Sequence, residues 1–377
     1  MVLAACGGAA APSSASPSSA APGASAAAST AASAKPVAST SAAASAAAKP
    51  AASGSAAAPA KPAASASAAP TIQPAAPGQV LVAYSELVGS NVGLWGALEG
   101  GYFKENGVDV DLRLIESSLS VGALLSNQVQ MAAVGGSESL AAAVQGADLR
   151  TIATLGPYYP YKFEVPKDIQ NKDDLKGKKV GVSRIGSSSD VATRVGLKRI
   201  GLDPNKDVSI VQVGSATART AAMISGALQG ALVTPPDTVK LEQQGFHPLF
   251  DMAALKLPAA NDMLIVKGSW LASHKDVAQK ILDSEIEATA REKSDKAFAE
   301  QIIAKYRKTN DQAQLDATYD YFVTETNPLL PFPKPEQLKD SIDSVSKKMP
   351  EAKSFDLNKF IDPSLVQSAA DRGVGKS

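Results

Sequence analysis

The run Asp174-Leu-Lys-Gly-Lys-Lys-Val-Gly-Val-Ser-Arg-Ile-Gly-Ser-Ser-Ser-Asp190 compresses a turn, a strand, a glycine turn and a helix start into one short stretch. A chain that passes from strand to helix this abruptly is restricted to folds in which helices cover a sheet. Lys178 to Ser183 has the short apolar character of a buried strand. Gly186 supplies the turn, and Ser187 with Asp190 three positions on matches a capping box at a helix start. Amides at such a start point outward at the positive end of the helix dipole, which suits a small anion or polar group. Gly181 and Gly186-Ser187-Ser188 fall short of a phosphate-cradling loop, because Ser187 stands where the lysine must be. Nucleotide hydrolysis is rejected on that ground. Ser187, Ser188 and Ser189 are then ligand donors or ordinary helix caps, and the run alone does not separate the two.

The same alternation recurs along the chain. Val80 to Tyr84 reads as a strand, Ser85 to Asn91 as a polar loop, and Trp95, Leu98 and Tyr102 fall at helical spacing. Val108, Val110, Leu112 and Leu114 alternate with charged residues as a strand with one wet face. A helix over Leu119 to Asn127, a strand over Val129 to Val134, a loop at Gly135-Gly136-Ser137-Glu138, a helix to Gln145 and a strand over Leu149 to Leu155 complete a first unit. Gly156 to Tyr161 holds three tyrosines between prolines and reads as a crossover in which Tyr158 or Tyr159 stacks on a ligand or packs a domain junction. A second unit follows, with strands at Lys178, Val208 to Val213 and Gln229 to Val233, a helix from Thr217 and another opened by Pro235-Pro236. Asn261 to Val266 reads as a strand returning to the first unit, and helices broken at Asn327 to Pro335 fill the rest. Alternation of this kind predicts α/β lobes built on mostly parallel sheets, with ligands beyond the carboxyl ends of the strands. The loops there give the candidate ligand contacts: Ser85, Ser90, Asn91, Gly136, Ser137, Tyr158, Tyr159, Ser187, Ser188, Ser189, Thr217 and Pro236.

Residues 7–78 are almost wholly alanine, serine and proline, with no acidic residue and no aromatic, and read as a disordered linker. As a coil of some 70 residues it would reach roughly 45 Å. Lys35, Lys49 and Lys61 carry its only charges, so the folded remainder of a chain with no net formal charge is slightly acidic. That balance supports neither nucleic-acid binding nor a basic membrane face. The single cysteine, in Leu3-Ala4-Ala5-Cys6-Gly7, resembles a lipobox. Residues 1–6 then read as the remnant of a lipoprotein signal peptide, truncated or misassigned upstream, with Cys6 the lipidated residue.

Catalysis has little to stand on. His247 and His274 read as surface or capping residues, no third histidine completes a metal cluster, and Gly135 to Ser139 lacks the closing glycine of a nucleophile elbow. No cofactor or metal is expected.

Gly101-Tyr-Phe-Lys-Glu-Asn-Gly-Val-Asp-Val110, Asp174 to Val182, Gly201-Leu-Asp-Pro204 and Trp270-Leu271 together resemble the substrate-binding proteins of bacterial ABC importers, in the branch of nitrate, sulfonate and thiamine-pyrimidine binders. The resemblance implies a two-lobed type II periplasmic-binding-protein fold with hinge crossovers, residues 79–157 and 262–377 forming one lobe and 158–261 the other. It implies a monomeric, extracytoplasmic, lipid-anchored partner of a membrane permease. The captured solute is read as small, polar and anionic, a sulfonate, carboxylate, nitrate or pyrimidine. Lys162, Arg184, Arg219 and the serine amides favour an anion, whereas Glu86, Glu138, Asp190 and Asp237 suit a cation or heterocycle. A receptor feeding a membrane kinase and an enzyme like the pyrimidine-precursor synthases are the alternatives.

Overall fold

β1 (Gln79–Tyr84) lies beside β2 (Asp109–Leu114) on one edge and β3 (Met131–Val134) on the other, parallel to both. The computed structural model describes residues 73 and 76–376. Cys6 and, of the 7–78 tail, all but Gln73, Ala76, Pro77 and Gly78 lie outside the described residues. β10 (Pro258–Lys267) runs antiparallel between β3 and β4 (Leu149–Tyr158), giving the order β2-β1-β3-β10-β4. The second sheet has the order β7-β6-β8-β5-β9, from β5 (Lys162–Pro166), β6 (Lys179–Val182), β7 (Ser209–Gln212), β8 (Gly230–Val233) and β9 (Phe246–Asp251). β6 pairs in parallel with β7 and β8, and β5 pairs antiparallel with β8 and β9.

The fold is therefore two-lobed and α/β, and each sheet is mostly parallel as expected, with one reversed strand that makes it mixed. In each, a strand adjoining a crossover, β10 in one and β5 in the other, enters against the direction of its neighbours. The expected lobe limits fall one residue short of the end of β4 and, at 261/262, inside β10.

Strand alternation divides the core. Val82 and Tyr84 of β1 and Leu264 and Val266 of β10 face one hydrophobic cluster, while Leu81, Ala83, Met263 and Ile265 face another across the sheet. Leu114, expected on the apolar face of β2, is instead exposed, because that strand is the sheet's edge. The first cluster is covered by α1 (Val92–Glu99) and α2 (Tyr102–Glu105), which are two helices where the spacing of Trp95 and Tyr102 predicts one; Gly101, at φ +84°, turns the chain between them. The second is covered by α3 (Ser117–Leu125) and α4 (Gly136–Val144). α5 (Ser188–Arg199), α6 (Ala216–Ile224) and α7 (Asp237–Glu242) flank the second sheet. The chain ends in α8 (Gly268–Ser273), α9 (Lys275–Ser294), α10 (Lys296–Arg307), α11 (Gln312–Thr318), a π-helical turn at Tyr319–Thr326, α12 (Lys339–Val345) and α13 (Ser364–Arg372). α9 packs on α1, where Gly93 and Gly96 have no Cβ to hold it off.

Candidate functional site

The carboxyl ends of β1, β3 and β6 come together. Ser85 and Glu86 follow β1, Gly135 follows β3 and Ser183 follows β6; all four line one cavity of about 30 Å³. Its other walls are Val88, Glu138, Tyr161, Ser188, Ser189, Asn261 and Asp262. A smaller space of about 10 Å³ shares Ser85, Glu86 and Ser183 and adds Glu116, Arg184, Gly214 and Ser215. Cavities of this size hold little more than water, so the two sheets are closed upon each other.

The closing contact is polar. The Ser188 amide and hydroxyl, at the start of α5, donate to Glu138 Oε2 of α4 at 3.2 and 3.1 Å. The amides that the anionic reading relies on thus face a carboxylate from the opposite lobe, at the end of a helix dipole that favours it. Gly135 makes the approach feasible: a Cβ there would stand 2.1 Å from Ser188 Oγ and 2.6 Å from Glu138 Oε2. A second contact across the lobes joins Arg307 of α10 to Asp237 of α7 at 2.7 Å, both nearly buried.

Beneath the contact lies a serine triangle. Ser183, Ser187 and Ser189 hydroxyls sit 2.7 to 2.9 Å apart, and the Ser183 amide donates to Ser189 Oγ. Ser187 caps α5, accepting from the Asp190 amide at 3.4 Å. The return bond of the expected capping box goes elsewhere: Asp190 Oδ2 accepts from the Gly186 amide at 2.8 Å, and Oδ1 from Arg194 Nε at 2.7 Å.

The floor is acidic. Asp262, 3% exposed, accepts from Ser90 Oγ at 2.7 Å through Oδ2, while its Oδ1 has no hydrogen-bond partner among the described residues. Burial pushes its carboxyl up to about 7, with Glu86 and Glu138 adding to the rise, against the pull of the Ser90 and Asn91 side chains. Asn261 Oδ1 accepts from the Tyr161 hydroxyl at 2.7 Å. Arg219, 1% exposed, lies 3.5 Å from Glu86 and donates to the Gly214 carbonyl, with its Nε unpartnered among the described residues.

Of the residues expected from the sequence, Ser85, Ser188 and Ser189 line the larger cavity, and Ser90 and Ser187 stand one hydrogen bond behind it. Asn91, buried, bonds the Glu86 carbonyl. The others lie in neither lining. Gly136 packs on Ala260, Ser137 bonds Ser341 of α12, the buried Tyr159 donates to Asp340, Tyr158 ends β4, Thr217 is exposed on α6, and Pro236 caps α7. Each sits in the right segment of the chain but outside both linings. Tyr161 belongs to the crossover expected at the site, whereas Asn261 and Asp262 lie in the returning strand, where no contact is expected. A carboxylate inside the apolar run Ala259 to Val266 is the signal that marks Asp262. Neither histidine lines the cavity; His274 caps α9 and stacks on Trp270. Among the described residues no cluster of His, Cys, Asp or Glu has the arrangement of a metal site, and no helix is long and apolar enough to cross a membrane.

Residues 90–291 match the family model described as NMT1/THI5 like. No curated protein matches the sequence. Similar solved structures include the periplasmic aliphatic sulphonate binding protein SsuA from Escherichia coli, at 18% identity and a TM-score of 0.59 over 77% of this chain and 92% of that one. The periplasmic nitrate-binding protein NrtA from Synechocystis PCC 6803 gives 14% and 0.60 over 78% and 89%. A ligand binding component of an ABC-type import system from Staphylococcus aureus gives 16% and 0.63 over 77% and 98%. At these identities the likeness is one of fold.

Proposed function

Because this chain belongs to the NMT1/THI5-like family, we propose that it is the extracytoplasmic solute-binding component of an ABC importer, its two lobes closing on one small polar solute. The observation that carries the reading is the polar cavity enclosed where the carboxyl ends of strands from both sheets meet, bridged by the Glu138 to Ser188 contact. Sheets of this kind present their ligand sites there. The fold neighbours that bind sulphonate and nitrate add support. Closure then follows from the solute's preference for the closed form, in which both lobes contact it at once. The role is read as binding, with the serine hydroxyls of the site bonded to one another as a polar lining.

Monomeric action beside a membrane permease, with Cys6 lipidated and residues 7–78 as tether, belongs to the same proposal. Cys6→Ser should move the protein from the detergent to the aqueous phase on partition; an unchanged distribution counts against the anchor. The function itself is tested by melting the full chain with sulfonates, carboxylates, nitrate, pyrimidines and polyamines. A ligand at a hundred times its dissociation constant stabilises by about 2.7 kcal/mol, so one class should raise the melt clearly. Silence from every class overturns solute binding.

A further inference from the structure

We propose that the captured solute carries a cationic nitrogen group, an ammonium or amidinium, seated against Asp262. The inference rests on the solute-binding reading and names the chemistry of that same site.

The larger cavity is walled by three carboxylates, Glu86, Glu138 and Asp262, and by no basic side chain. The basic residues that favour an anion are engaged elsewhere. Lys162 pairs with Glu242 at 3.6 Å, and Arg219 is held by Glu86 and the Gly214 carbonyl and lines neither cavity. Arg184 lines the smaller space, where Glu86 and Glu116 face it, and a wide groove beside Glu138, Ser187 and Asp190, but not the cavity that Asp262 walls. An anion entering the larger cavity would meet the acidic walls of Glu138 and Asp262, with Glu86 already offset by Arg219, and its best donors, the Ser188 amide and hydroxyl, already serve Glu138.

Asp262 supplies an observation independent of that charge count. A buried carboxylate oxygen without a donor is costly to maintain, and Oδ1 of Asp262, a residue of the cavity wall, makes no hydrogen bond among the described residues. A cationic N–H group satisfies it with a charge-assisted hydrogen bond and offers further donors to Glu86 and Glu138. The elevated pKa of Asp262 is the response expected of a carboxylate buried without such a partner. The closed cavity takes a water-sized group, so a larger solute displaces Glu138 from Ser188 as it enters.

The test is calorimetric titration and thermal melting of the full chain with putrescine, agmatine and benzamidine, set against ethanesulfonate, malonate and nitrate. The expected result is saturable binding of a cation and none of an anion. Affinity should fall at least tenfold in Asp262→Asn and, independently, in Glu138→Gln, with circular dichroism showing each variant folded. Saturable binding of an anion alone leaves solute capture standing and overturns the cationic assignment. Cation affinity in both variants equal to that of the parent overturns it too. Silence from both sets overturns the binding reading along with it.

Discussion

Glu285 lies in the middle of α9 at 4% exposure, packed where Gly93 of α1 leaves no Cβ, with only Thr289 donating to it. Burial raises its pKa to about 8, against the Thr289 bond, and raises that of Glu292 two turns along the same face, whose two oxygens have no partner among the described residues. Between the ordinary glutamate value of 4.5 and about 8 the folded chain holds a proton that the unfolded chain has released. The stability from this group is complete below 4.5 and drains away as pH rises, by about 1.4 kcal/mol per unit. Glu292 adds in the same direction. The melting temperature should therefore fall from pH 5 to pH 8, and Glu285→Gln should flatten the slope and melt above the parent at pH 8. Parallel slopes in the two proteins would show that Glu285 does not bind the proton. Sequence conceals such a residue, because an acidic side chain on a long helix ordinarily faces water. The legible trace is on the partner helix, where Gly93 and Gly96 three apart mark a face that another helix approaches closely. Asp262 is hidden for a related reason: it was read as part of a strand, and which strand residues meet the cleft depends on the opposing lobe.

At the scale of the element, the strand-turn-helix run around Gly186 was legible because its signals are local. Gly186 adopts φ +89°, the strand ends at Val182 and the helix begins at Ser188. What local reading misplaced was the weight of the two caps. The Ser187 bond is long, whereas Asp190 holds both the Gly186 amide and Arg194 from a nearly buried position. Ser187→Ala should cost about 1 kcal/mol, the ordinary loss of an N-cap. Asp190→Ala should cost more, about 2 kcal/mol, since it also frees the Gly186 amide and a partly buried guanidinium. Urea denaturation of the two variants decides it, and the reverse order would return the dominant cap to Ser187. The one reversed strand of each mostly parallel sheet lies beyond the same local reading, since strand direction is set by which crossover returns where. Alternation tells that a sheet is covered, but β5 and β10 reveal their direction only once both lobes are assembled.

For the whole molecule the decisive distance is the one across the cleft, and Gly135 governs it. Its φ of −61° is open to any residue, so backbone strain does not demand glycine here. Space does: an added methyl would overlap Ser188 on the far lobe and Glu138 on its own. Both neighbours are held, Ser188 by the first turn of α5 and Glu138 by its bond to that turn, so the lobes themselves must give. Gly135→Ala should therefore leave each lobe intact, with circular dichroism unchanged, and shift the pair toward an open arrangement. Small-angle scattering of the ligand-free variant should then give a larger radius of gyration than the parent. Arg307→Ala acts on the same equilibrium from the opposite side by leaving Asp237 unpaired, and should open the molecule in the same sense. The two variants together discriminate between causes. If Gly135→Ala lowers the melt with no change in dimensions, the methyl is absorbed within α4 and the glycine serves packing. If both variants expand the particle, the closed form is maintained by contacts of the protein with itself, and a solute must exceed those contacts to hold it shut.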